Sequence, residues 1–348
     1  MTRNPFIAGS WVRAENFFGR HAILAEILEG RRHALWVVGA RRLGKTSLLK
    51  QLEYRTQTST QSSFVPLYWD LQGSADSRGL EDGLLGSVED SEAFRRATDV
   101  TTEDLEGLSV SEMLTTAVRK TVRAGWRLLL LLDEAEELLT LARSTPALLP
   151  RLRRVFQKGP EVRTVLTSTR RLGRIDAESD LPTSPFLQGF VPPVYLSPLE
   201  HDEGRALLAR GQFRDAEVAE IVTRTANHPF LIQLIASRLF ENRDLAATLD
   251  QVASDEMVAN FFAVDFQTLE TTERTLLEEV ARSGPCTSED LARATGDSGE
   301  RLEPVVFGLK MMGYLADEAG RYRIGNWFFE RWLKRVCGAH TATGELAQ

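Results

Sequence analysis

The sequence predicts an α/β protein in which a mostly parallel sheet, covered on both faces, runs into an all-helical stretch and ends in three helices and a hairpin. Two observations carry this. Five short apolar runs, at 34–38, 64–71, 127–132, 162–167 and 191–196, alternate with segments of helical period, the pattern of strands buried by crossover helices on both sides. After Pro198 the apolar spacing becomes helical throughout until a turn-rich hairpin near the end,.

In chain order, Ile23, Leu24, Ile27 and Leu28 predict a first helix, and 34–38 the first strand. A glycine-containing turn then opens a helix over about 46–54. A Ser/Thr/Gln-rich connection leads to the strand at 64–71. Residues 73–110 are rich in Gly, Ser, Asp and Glu, with weak periodicity around Phe94, and read as a surface excursion,. Helices over 111–124 and 146–158 lead to the strands at 127–132 and 162–167. Beyond Pro198, Leu207 and Leu208, then Val218, Ile221 and Val222, then Phe230, Leu231, Leu234 and Ile235 predict three short amphipathic helices, with Pro229 at the start of the third,. From about 266, Leu276, Leu277 and Val280, then Leu291, then Leu302, Val305, Val306 and Leu309 mark three more helices. Two strand-like pieces, 314–316 and 321–324, follow across the turn 317–320. Three helices and a hairpin make a winged-helix pattern.

Composition narrows the function classes. A chain of 348 residues with 43% hydrophobic and 26% charged residues has material for two or three globular domains. Lys and Arg number 42 against 49 Asp and Glu, a net charge of −7, which argues against holding nucleic acid by bulk charge. Cys286 and Cys337 stand far apart and in no CxxC spacing, so neither a disulfide framework nor a zinc site is indicated. The five histidines form no HExxH or paired-ligand spacing,. The start has no signal-like apolar stretch, and the longest apolar run, 128–132, is far shorter than a membrane span,. A soluble, cytoplasmic protein without membrane contact is expected.

Chemistry is concentrated in two strings. Gly39, Ala40, Arg41, Arg42, Leu43, Gly44, Lys45 and Thr46 match GxxxxGK[ST] directly after a predicted strand and at the start of a predicted helix. Backbone N–H groups of such a loop, with Ser47 beyond it, face bound phosphates. Lys45 would reach the β- and γ-phosphates, and the Thr46 hydroxyl would ligate Mg²⁺. The string RLLLLLDEAEE places Asp133 at the carboxyl end of a buried strand, where ligands bind in open α/β sheets,. Asp133 would hold the Mg²⁺ shell, and Glu134 would orient and deprotonate an attacking water. Together the strings imply an ATPase with ATP and Mg²⁺ as cofactors.

Residues 4–332 resemble prokaryotic P-loop ATPases at the border of the AAA+ and STAND (NACHT-like, archaeal-type ATPase) groups, some of which end in a winged helix. NPFIAGSWV followed by FFGRH is similar to the N-terminal motif that packs on adenine in relatives, which implies that role for Phe18, Gly19 and Arg20; His21 stands where Glu is common. VLTSTRR resembles the strand whose end senses the γ-phosphate, with Ser168 or Thr169 as the polar sensor and Arg170 as the STAND-type arginine. Asn227, His228 and Pro229 fall where relatives carry Gly-His-Pro in a helical lid over the nucleotide, with Asn in place of Gly.

The resemblance implies a P-loop NTPase sheet domain (1–198), a helical lid (199–265), a winged helix (266–337) and a short tail (338–348). The winged helix is an ambiguous DNA module. From Asp265 to Cys337 there are 13 acidic and 10 basic residues, and in the helix that would enter a groove Glu300 and Glu303 cancel Arg301 and Lys310,. Arg321, Arg323, Arg331, Lys334 and Arg335 form the best basic cluster. The first expectation is therefore a slow ATPase switch whose nucleotide state controls self-assembly or a protein partner. The alternatives are an initiator-like ATPase binding DNA through its winged helix, and an adaptor that keeps ATP as a structural ligand.

Overall fold

The computed structural model describes residues 3–178 and 185–344. The chain divides into two compact units, one of residues 11–39 and 44–195, the other of residues 1–10, 40–43 and 196–348.

In the sheet unit, β1 (Ala34–Val38), β2 (Phe64–Asp70), β3 (Arg127–Asp133), β4 (Val162–Ser168) and β5 (Val194–Tyr195) form one parallel sheet in the order β2-β3-β4-β1-β5. Every residue of β1 and β4 is buried, and β3 from Leu128 onward. The helices are α1 (His21–Glu29), α2 (Lys45–Thr58), α3 (Ser77–Asp90), α4 (Glu92–Thr98), α5 (Val110–Arg123), α6 (Leu138–Ser144), α7 (Leu148–Phe156) and α8 (Ile175–Glu178). Strand β5 is shorter than the expected 191–196 because Pro192 and Pro193 have no N–H to give to a ladder,. In β4 one cation is buried: the Arg163 guanidinium donates to the carbonyls of Ile27, Leu28 and Gly30 at 2.6–2.9 Å and so closes the carboxyl end of α1,.

Residues 73–110 are not a surface excursion. Leu80, Leu84 and Val88 recur every four residues along α3 and are fully buried, as are Phe94, Val100 and Leu105. Gly79, Gly83 and Gly86 dilute the helix's apolar pattern in the sequence, yet Gly83 sits close to the sheet: a Cβ there would stand 3.2 Å from Trp69 Nε1 on β2, a tight contact. Asp76 starts the helix by accepting the Gly79 N–H at 2.8 Å,.

The second unit contains α9 (His201–Leu208), α10 (Asp215–Thr225), α11 (Pro229–Asn242), α12 (Leu245–Ser254), α13 (Glu256–Gln267), α14 (Thr271–Ser283), α15 (Ser288–Thr295), α16 (Gly299–Met311), the hairpin β6 (Leu315–Glu318) and β7 (Arg321–Ile324), and α17 (Trp327–Gly344). Two more helices than the expected three, α12 and α13, lie before 268, started by Asp244 and Asp255 as N-caps. The hairpin is antiparallel, and Cys286 bridges to Tyr322 beside it. Phe262 and Phe266 of α13 pack with Phe329 and Trp332 of α17 at ring separations of 5.4–6.4 Å, so the division expected at 265/266 falls within one aromatic cluster. The N-terminal strand of chain is held here too: Asn4 Nδ2 donates to Ser237 O and Ile7 N to Gln233 Oε1. Helix α17 passes through the start of the expected tail to Gly344; residues 345–348 lie outside the described residues. Among the described residues no helix is long and apolar enough to cross a membrane.

Candidate functional site

The phosphate loop grows from the end of β1. Gly39 N donates to Ser168 O of β4 at 3.2 Å, which extends the ladder by one bond before the chain turns. Gly44 has φ +99°, a conformation open to glycine, and precedes α2 as its N-cap,. Lys45 is 7% exposed, and its Nζ donates to Gly39 O at 3.1 Å. Thr46 and Ser47 lie in the first turn of α2, whose leading N–H groups make an anion-binding end,. Ser47 Oγ also accepts the Val12 N–H at 3.1 Å, and Gln51 Oε1 accepts the Ala14 N–H at 2.7 Å. These two bonds tie the segment before Phe18 to α2. Gly19 (φ +71°) and Arg20 (φ +63°) then take left-handed conformations ahead of α1.

Asp133 ends β3, in register with Asp70 of β2, and is 1% exposed. Its Oδ1 accepts from Thr167 Oγ1 at 2.5 Å and from Glu134 N at 3.1 Å; its Oδ2 accepts from Tyr68 OH at 3.2 Å. Burial first, and then the Asp133 charge, push the Tyr68 phenol far above its ordinary range, so the hydroxyl remains a donor,. Lys50 Nζ sits 3.3 Å from the centre of the Tyr68 ring and 3.1 Å from Glu53 Oε2. Glu134 has φ +49°, the left-handed region that non-glycine residues occupy at a cost of about 1–2 kcal/mol,.

At the end of β4, the Ser168 hydroxyl accepts from Trp36 Nε1 at 2.7 Å and donates to Thr169 O at 2.8 Å, in the core of the sheet. Thr169 Oγ1 and Glu136 Oε2 are buried without a hydrogen-bond partner among the described residues, while Glu136 Oε1 accepts the Thr169 N–H at 3.2 Å. Of the two expected sensor positions, Thr169 keeps a hydroxyl to offer. Arg170 opens the turn Arg170–Arg174 that follows.

The second unit holds the loop apex, residues 40–43. Arg41 N donates to Asp265 Oδ1 at 3.0 Å, and Tyr314 OH donates to Asp265 Oδ2 at 2.6 Å. Asp265 is 3% exposed. Burial, then the Asp265 charge, hold the Tyr314 phenol protonated,. The Arg42 guanidinium lies 4.4 Å from the centre of the Phe230 ring,. Asn227 adopts φ +57°, a left-handed conformation that asparagine tolerates better than most residues,; His228 occupies the N-cap position of α11, Pro229 is its first residue, and the His228 ring stands edge-on to Phe261 at 5.8 Å. Asp265, Tyr314, Tyr68 and Thr167 were not singled out from the sequence.

These residues fit a nucleotide and Mg²⁺. A buried ammonium that donates to a carbonyl oxygen suits phosphate oxygens, and a hydroxyl with a carboxylate is the hard-oxygen donor set that Mg²⁺ takes alongside phosphate and water. Among the described residues no group of three or more His, Cys, Asp or Glu could hold a metal ion by itself.

Residues 28–175 match the family described as AAA domain, a span that begins before β1 and ends after the Arg170 turn. This segment has the α/β fold of P-loop NTPases. The fold extends beyond it: the Walker-type ATPase PABY2304 of Pyrococcus abyssi is similar over 95% of this chain and 99% of its own, with a TM-score of 0.70 at 17% identity. Weaker likenesses are to the Aeropyrum pernix ORC2 protein in its ADP form (TM-score 0.48, 12% identity, 94% of this chain and 97% of that one) and to the Aeropyrum pernix ORC1 protein in complex with DNA (TM-score 0.43, 16% identity, 93% and 94%). No match was found among curated proteins.

Proposed function

We propose that the protein is an ATP-binding, ATP-hydrolysing switch of AAA+/STAND type, with a helical lid over 199–265 and a winged helix over 266–337, acting in the cytoplasm on itself or on a protein partner. The observation that carries the switch is the chain Arg41–Asp265–Tyr314: a buried carboxylate accepts from the backbone of the phosphate-loop apex and from the residue that precedes β6. Phosphate arriving at the loop would alter the position or charge balance of that apex, and Asp265 would carry the change to the hairpin.

For hydrolysis, Lys45 would exchange Gly39 O for phosphate oxygens, and the first N–H groups of α2 would complete the cradle. Mg²⁺, when bound, would neutralise charge on the β- and γ-phosphates. Thr46 would offer its hydroxyl to the metal, and Asp133 a carboxylate oriented by Tyr68 and Thr167. Glu134 would orient water as general base, Thr169 would sense the γ-phosphate in preference to Ser168, and Arg170 would counter transition-state charge. Phe18, Gly19 and Arg20 would contact adenine, and His228 with Pro229 would supply the lid contact.

The DNA reading gains little support. In the hairpin region Lys310 pairs with Asp317, Arg323 with Glu318 and Lys334 with Glu330 at 2.5–2.8 Å, and Arg331 lies over the Trp327 ring at 5.2 Å. Cations already matched to carboxylates are poor phosphate contacts, which favours a protein partner or a second copy.

Turnover tests the enzyme. Glu134→Gln should bind ATP while losing about 10²–10⁴-fold in rate, and Lys45→Ala should weaken binding and rate together. Wild-type rates in Glu134→Gln would overturn the assignment of the base. Binding without turnover in the unsubstituted protein would leave the adaptor reading in its place.

A further inference from the structure

Resting on the ATPase reading, we infer that Tyr68, braced by Lys50, is a positioning residue that fixes the Asp133 carboxylate for the Mg²⁺ shell. Strand β2 brings the phenol hydroxyl to Asp133 Oδ2 at 3.2 Å, while Thr167 and the Glu134 amide hold Oδ1 at 2.5 and 3.1 Å. The carboxylate is thus gripped on both oxygens, which fixes its plane. Two bonds reach the same oxygen, and among the described residues Tyr68 is the donor to the other.

A tyrosine whose only task was filling space would be enclosed by apolar side chains. Tyr68 instead borders a cavity of about 640 Å³ lined also by Arg13, Lys50, Glu53 and Asp70. Lys50 lies over its ring at 3.3 Å, and Glu53 fixes Lys50. Lys50 follows Thr46 by four residues on α2, hence on the same helix face,. One face of α2 therefore carries both the hydroxyl offered to the metal and the cation that holds the tyrosine. A cation over the ring draws electron density from the phenol and strengthens its hydrogen bond to a carboxylate.

The test reads binding and needs no turnover. The full-length protein is titrated with a fluorescent ATP analogue in EDTA and then with Mg²⁺ at fixed analogue. Tyr68→Phe, which removes one hydroxyl, should bind the analogue in EDTA like the unsubstituted protein but need about five- to tenfold more Mg²⁺ for half-maximal enhancement. Lys50→Met should shift the Mg²⁺ midpoint in the same direction by a smaller factor. A Tyr68→Phe protein with an unchanged or lower Mg²⁺ midpoint overturns the inference, whether or not its melting temperature falls. Failure of the unsubstituted protein to bind the analogue both in EDTA and with Mg²⁺ would instead overturn the ATPase reading, and this inference with it.

Discussion

At Asp133 three hydrogen bonds converge on one nearly inaccessible carboxylate, each of a kind worth about 1.5–3 kcal/mol when the acceptor is charged,. One of the three donors is the amide of Glu134, whose own backbone is left-handed. Strain of this kind persists where the surrounding structure imposes it, and it gathers at functional sites. Stability and activity should therefore part company at this position. Glu134→Gly should relieve the backbone and raise stability by about 1 kcal/mol in denaturant melts, while turnover falls by about 10²–10⁴-fold. Reduced stability in that variant would show that the Glu134 side chain is a structural anchor instead. Lys45, Thr46, Asp133 and Glu134 could be singled out from the sequence because each sits in a short string with its own chemistry. Tyr68 and Thr167 were not: their partner is 65 and 34 residues away, and in a strand a tyrosine or threonine reads simply as a good strand former. Asp265 was counted as one acidic residue among thirteen, because nothing local shows that it meets Arg41, 224 residues earlier.

Among the elements, the buried strands were the most legible, since a parallel sheet covered on both faces leaves uninterrupted apolar runs such as 128–132. Strand β5 was overextended by reading through two prolines. The helix α3 was hidden by its glycines, which lower local hydrophobicity, and one of them, Gly83, lies close against Trp69 of β2. At Gly83 this close approach makes a strong prediction. Gly83→Val would drive branched carbons toward Trp69 Nε1 and Ser74 Oγ and should cost about 1–3 kcal/mol of stability. A melting temperature equal to that of the unsubstituted protein would mean that α3 stands off the sheet. The helices α12 and α13 were passed over for a different reason. Their apolar residues are split by Asp244 and Asp255, which read as interruptions and are in fact helix caps,.

For the whole molecule, the acidic balance that first argued against bulk nucleic-acid binding has a local counterpart in the hairpin region, where carboxylates pair with Lys310, Arg323 and Lys334. Sequence motifs indicated where phosphate would bind, but not how its presence would be felt elsewhere. In the proposed switch the latter would depend on a carboxylate shared between the loop apex and Tyr314, a link that long-range packing creates. The Arg41 amide and the Tyr314 amide, which donates to Leu309 O at 2.9 Å, are reporters of that link. The most direct measurement is amide hydrogen exchange at these two positions in the full-length protein loaded with ADP or, in Glu134→Gln, with ATP, each repeated with Asp265→Asn. The switch predicts that exchange at both amides differs between the ADP and ATP states, and that Asp265→Asn removes the difference at Tyr314 while both nucleotides still bind. Identical exchange in the two loaded states would contradict it.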